Sequence, residues 1–139
     1  MNSDMKQCEN QVMLFFRHLD ERHYDALGAL LAPHAVWHRQ GKVLKGPAEV
    51  HAALVQRSAT MKIAHIITNL AFDEYEPESC RMRAYMLVVR HEPSGELNGP
   101  SPLKGIESIR NMSVKMTRVA DQWLITELNG EDIIFAAGA

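Results

Sequence analysis

Apolar positions in the first twenty residues recur at helical spacing. Met5, Cys8, Val12, Met13, Phe15, Phe16 and Leu19 share one wide stripe when turned by about 100° per residue. Ser3 is placed to cap this helix, with Asp4 near the positive end of its dipole. Asp20 also falls inside the stripe, four positions after Phe16, whereas Arg17 and Glu21 do not. A carboxylate on an apolar face is costly unless it is paired or hydrogen-bonded. Asp20 therefore calls for a partner. A second helix is expected from Tyr24 to Leu31, stopped by Ala32-Pro33. Ala35–Arg39 reads as a short strand, Gly41-Lys42 as a turn into Val43-Leu44, and Gly46-Pro47 as the start of a third helix.

From residue 61 onward the spacing changes to period two. Met61–Phe72, Cys80–Arg90, Ile106–Val119 and Trp123–Phe135 are expected strands, with turns at Glu76-Pro77 and Ala120-Asp121-Gln122. A long proline- and glycine-bearing loop spans residues 91–105. Strands this long tend to coil or close. Helices followed by a long-stranded meander predict an α+β fold, with three helices over one face of a strongly curved sheet. Met61–Phe72 is apolar on both faces: Ala64, Ile66, Thr68, Leu70 and Phe72 on one, Ile63, His65, Ile67, Asn69 and Ala71 on the other. It is expected to be central and buried on both sides. The sheet face left bare by the helices, including Ala64, Ile66 and Leu70, is expected to pack on a second copy in a two-fold homodimer.

Composition narrows the function. The 139 residues fit one domain, taken as 1–139, and 46% hydrophobic with 23% charged residues argues for a packed core over disorder. A net charge of −2 gives no global attraction to nucleic acid or anionic membrane, and neither partner is expected. Apolar runs of four or five residues fall far short of a membrane span, and the N-terminus has no apolar signal region. Two cysteines without a CxxC motif make a reducing cytoplasm the expected setting. The seven histidines form no HExxH or Cys/His pattern, so no metal is expected. Dinucleotide, Walker and GxSxG motifs are absent, which sets aside those chemistries and their cofactors.

One pair of residues carries candidate chemistry. His65 sits among isoleucines on a strand, and a buried imidazole needs partners for its ring nitrogens. Asp20 lies on a helix that should pack against that strand. Pairing them satisfies both groups, and the carboxylate would stabilise the imidazolium formed when His65 accepts a proton.

The segments HLDERHYDALGALLAPHAVWHRQGKVLKGPAEVHAAL and KIAHIITNLAF resemble the SnoaL-like branch of the nuclear transport factor 2-like superfamily. The resemblance covers nearly the whole chain. It implies a cone-shaped roll of three helices over a curved, mixed but mostly antiparallel sheet, with a pocket inside. The branch includes polyketide cyclases, scytalone dehydratase, a bile-acid dehydratase and hexachlorocyclohexane dehydrochlorinase. In its dehydratase and dehydrochlorinase members a first-helix aspartate orients a strand histidine that acts as base, and Asp20 and His65 match those positions. Leu128-Asn129-Gly130 also resembles the last strand of the dehydrochlorinase. Where some dehydratases carry tyrosines, this chain has Leu19 and Trp37 or His38. Phe16 and Trp37 are candidate pocket walls, and His38, Asn69, Tyr85, Arg110 and Asn129 candidate polar lining. The expected function is that of a cofactor-free lyase or isomerase acting on a small hydrophobic ring compound, polyketide-, steroid- or terpenoid-like. The alternative is a non-catalytic ligand-binding or assembly module, such as the small subunit of a ring-hydroxylating dioxygenase.

Overall fold

A computed structural model describes residues 2–138. The first helix, α1 (Ser3–Glu21), buries Cys8, Val12, Phe15, Phe16 and Leu19, the stripe read from the sequence. Its cap is Asn2 and not Ser3: the Asn2 side-chain oxygen accepts the Met5 N–H at 2.7 Å. At the other end Arg22 takes a left-handed conformation (φ 64°), and the His23 N–H reaches back to the His18 carbonyl. This closes the helix without a glycine. Asp20 is thereby held in the last turn.

The second helix is shorter than expected. Helix α2 (Tyr24–Gly28) ends early, and the chain turns into β1 (Leu31–Arg39). Pro33 sits inside this strand, within the irregular stretch between Leu31 and Val36 where pairing with the neighbour shifts register. A residue without an N–H is tolerated where ladder pairing is interrupted. Strand β2 (Lys42–Lys45) returns antiparallel, and α3 (Gly46–Leu54) follows with proline in its first turn. Gly46 has φ 80°, and a Cβ there would stand 3.0 Å from the Pro33 carbonyl oxygen, so the corner into α3 needs glycine.

The remaining strands are β3 (Lys62–Glu76), β4 (Ser79–His91), β5 (Ser108–Val119) and β6 (Gln122–Ala136). They join β1 and β2 in one six-stranded curved sheet of order β2-β1-β6-β5-β4-β3. Only the β1–β6 pair is parallel. The inner face carries Met82, Met86, Met112, Val114, Met116, Ile125 and Leu128 against the α1 stripe, with Phe15 edge-on to Trp37 at 5.1 Å between centroids. The free thiols Cys8 and Cys80 meet in this core, sulfur to sulfur at 3.8 Å. The Cys80 sulfur and burial push the Cys8 thiol up from its ordinary value.

Two expectations about the His65 strand are corrected. Strand β3 is not central; it is the sheet edge and pairs with β4 alone. Nor is it buried on both sides: Ile63, His65 and Ile67 turn inward, whereas Ala64 and Ile66 are exposed. A bulge at Asn69 (φ 55°) then shifts the register between Thr68 and Ala71. Beyond it Leu70 and Phe72 are the inward residues, so the strand swaps faces halfway. Its doubly apolar sequence records this swap and not double burial. Leu70 accordingly belongs to the core and not to the bare face.

The left-handed backbone at Asn69 suits asparagine and glycine and opposes β-branched residues. Asn69→Val is expected to lower stability by about 1–2 kcal/mol, and Asn69→Gly to change it by much less. Urea unfolding followed by circular dichroism measures both.

Candidate active site

The dyad is assembled where α1 ends against β3. Asp20 accepts two hydrogen bonds from a single residue: the His65 ring Nδ1 at 2.6 Å from Oδ1, and the His65 backbone N–H at 2.8 Å from Oδ2. Both side chains are largely buried, at 12% exposure for His65 and 17% for Asp20. An ionised carboxylate only accepts, so Nδ1 carries the proton and the neutral ring keeps its lone pair on Nε2. No hydrogen-bond partner for Nε2 occurs among the described residues. The ring packs on Phe16, with 5.4 Å between centroids.

Two arginines fix the helix end that presents Asp20. Arg57, just past α3, donates to the Leu19 carbonyl at 2.9 Å and to the Tyr24 hydroxyl at 3.0 Å. Arg22 donates to the Met61 carbonyl at 2.7 Å, tying the helix end to the approach of β3. Guanidiniums at a helix C-terminus satisfy its free carbonyls and offset its negative dipole.

His65 borders a cavity of about 420 Å³ between the helices and the inner face of the sheet. Phe16, Leu19, Trp37, Ile63, Met86 and Leu128 form its apolar wall. Gly130 shapes the floor, since a Cβ there would lie 2.8 Å from the Met86 terminal methyl. Arg110 is bonded across it to the Gly130 carbonyl at 3.3 Å. Among the described residues no three His, Cys, Asp or Glu side chains converge to hold a metal.

Of the residues singled out from the sequence, Phe16, Trp37, His65 and Arg110 meet at this cavity, with Asp20 directly behind His65. Three do not line it. Asn69 is diverted by the bulge it occupies and hydrogen-bonds to Thr68 on the exposed side. Tyr85 alternates with inward Met86 and is exposed on the outer face. Asn129 alternates with inward Leu128 and Gly130, and lies beside a shallow outer depression with Ser113, Lys115 and Glu127. His38 touches the cavity rim, but its imidazole is committed to Glu127 at 2.9 Å and is not a free donor. Sequence reasoning missed Arg39, Arg57 and Arg90, which also line the cavity. The spacing of Arg39, two positions after inward Trp37 on one strand, was a usable signal.

The described helices include none long and apolar enough to cross a membrane. The SnoaL-like domain family matches residues 2–129, so the chain belongs to that family. No curated protein matches it in sequence. Among solved structures, a nuclear transport factor 2-like protein with a cystatin-like fold from Novosphingobium aromaticivorans superposes with TM-score 0.77 at 17% identity, covering 98% of this chain and 86% of its own. A candidate scytalone dehydratase from the same organism gives 0.70 at 16% identity, covering 91% of this chain and 81% of that one. ActVI-ORFA from Streptomyces coelicolor gives 0.74 at 14% identity, with coverage of 94% and 98%. At these identities the likeness shows the fold: a nuclear transport factor 2-like cone.

The Glu127 carboxyl is held below its ordinary value of 4.5 by hydrogen bonds from His38 and then Lys115. A carboxyl with a depressed folded value contributes stability above its ordinary value, and loses it as pH falls through the folded one. Glu127→Gln is expected to cost under about 1 kcal/mol at neutral pH, because the pair is partly exposed. That difference should shrink as pH falls below the ordinary carboxyl value of 4.5 and through the lower folded one, as urea unfolding across pH will show.

Proposed function

We propose that this protein is a cofactor-free lyase or isomerase in which His65, oriented by Asp20, removes a proton from a carbon next to an activating group. The reading is carried by one observation: both Asp20 oxygens are spent on His65, and His65 lines a cavity with an apolar wall. The Asp20 contacts fix the tautomer and the ring orientation, which a positioned base needs. As Nε2 takes the proton, the imidazolium gains the carboxylate at 2.6 Å and the negative end of α1. Loss of a leaving hydroxyl, or reprotonation elsewhere, completes elimination or isomerisation. The cavity suits a small ring compound in volume and lining. A structural relative named as a candidate scytalone dehydratase supports the class of chemistry.

The experiment is a screen of hydroxylated or unsaturated ring ketones for loss of water or a shifted double bond. On a substrate so found, His65→Gln and Asp20→Asn should each slow turnover by about 10²–10⁴-fold, and the double variant by little more than the worse single. A His65→Gln variant that turns over at the wild-type rate would remove the proposal.

The outer face supports a second copy as partner. Ile66, Leu87, Ile109 and Phe135 stand opposite one another across four strands, a straight apolar row on the uncovered side. Ile66 and Phe135 at its two ends are exposed. Two such rows brought together by a two-fold axis bury each other. Sedimentation is expected to show a dimer at micromolar concentration, and Leu87→Glu a monomer.

A further inference from the structure

The chain carries a net charge of −2, yet five cationic side chains line the cavity (Arg39, Lys42, Arg57, Arg90 and Arg110). The only carboxylate in that lining is Glu131, whose two oxygens both accept the Gly41 N–H, at 3.0 and 3.1 Å. Three of the arginines have work that explains them. Arg57 caps α1, Arg110 is bonded to Ser108 and the Gly130 carbonyl, and Arg90 is paired with Glu107 at 2.9 Å. Arg39 has none. Its stem follows Trp37 along β1 and its guanidinium lies over the indole ring, 5.6 Å from the centroid. Its one hydrogen bond is a long 3.4 Å contact to its neighbour Gln40, and no carboxylate pairs with it among the described residues. Burial and the nearby Arg57 and Arg90 charges pull its pKa below the ordinary arginine value, the signature of a cation held without a counter-charge.

A half-buried guanidinium stacked on an aromatic wall, without a carboxylate partner and facing a cavity, is a fork for a planar anion. We propose that the cavity takes an amphipathic ring compound bearing a carboxylate, with Arg39 binding the carboxylate while the ring lies on Trp37 and the apolar wall. This names the substrate class of the His65 site and rests on that site being where substrate sits. Arg39 is then a specificity residue: it meets an anion present before any proton moves, so its loss should weaken binding more than it slows the bound reaction.

The test uses a matched pair of probes, 2-naphthoate and 2-naphthamide, titrated into the purified protein by calorimetry. The two share shape and ring and differ in charge. Wild type should bind the naphthoate at least about tenfold more tightly than the amide. Arg39→Gln should bring the two affinities together while leaving that for the amide unchanged, which also reports that the cavity is intact. Arg39→Met, which keeps an apolar stem over Trp37, serves as the second variant and should behave alike. Equal affinities in the wild type, no naphthoate binding at millimolar concentration, or a carboxylate preference that survives both substitutions would each overturn the proposal. His65→Gln separates the two readings: carboxylate preference retained with turnover at the wild-type rate removes the base alone, and turnover lost in His65→Gln with no carboxylate preference in the wild type removes the anion site alone.

Discussion

The Asp20 carboxylate is the constraint on which the arrangement depends. It sits on the apolar stripe of α1 and in the last turn, where the helix dipole disfavours a negative charge. Left alone there it would oppose both the helix and the core. Two charge-assisted hydrogen bonds from one residue resolve this, each contributing about 1.5–3 kcal/mol. They also fasten α1 across β3 at a fixed point, with Arg22 and Arg57 holding the helix end from either side. The local cost at Asp20 and the orientation of His65 are thus the same interaction seen from its two ends.

Much of this was legible in the sequence, because it depends on residues whose spacing is local. The α1 stripe, Asp20 as a misfit on it, and Ile63, His65 and Ile67 on one face all follow from periodicity. The face swap at Asn69 was not legible. With apolar residues at both odd and even positions, the strand reads equally well in either phase, and one residue in the left-handed region decides. Asn69 itself moved from the His65 face to a bulge for that reason. Tyr85 and Asn129 depended on knowing which parity of β4 and β6 faces the helices. The inward methionines settle it in three dimensions, but as a residue type they mark neither face. The convergence of the cationic lining was hidden for another reason: Arg39, Arg57, Arg90 and Arg110 come from distant stretches, and only the folded chain brings them to one cavity.

Charge is segregated in this molecule in a way its total conceals. A cleft within the protein screens charge less than bulk water does, and here its charged lining is cationic except at Glu131. Within the dyad it is His65 that meets this field, because His65 lines the cavity and Asp20 stands behind it. An imidazolium formed at Nε2 would meet repulsion from the arginines unless an anion stood among them. Positive walls therefore suit a negatively charged occupant.

The edge position of β3, against the expectation of a central strand, bears directly on the dyad. A central strand spends its backbone N–H groups on neighbours at both sides. At the edge, groups pointing outward are free and would invite pairing with another chain. The His65 N–H is one of these, and it is the group that meets Asp20 Oδ2 at 2.8 Å. Were β3 central, that donor would be consumed by a ladder, and Asp20 would hold His65 by the ring alone. The ring could then pivot about one contact. Two contacts to one residue, one from backbone and one from side chain, remove that freedom, so the imidazole is oriented by the sheet itself as well as by its partner. The same contact covers part of an exposed edge with a charge, which blunts it against strand addition. A feature that reads as a weakness of the sheet is what lets a single carboxylate both seat the helix and aim the imidazole.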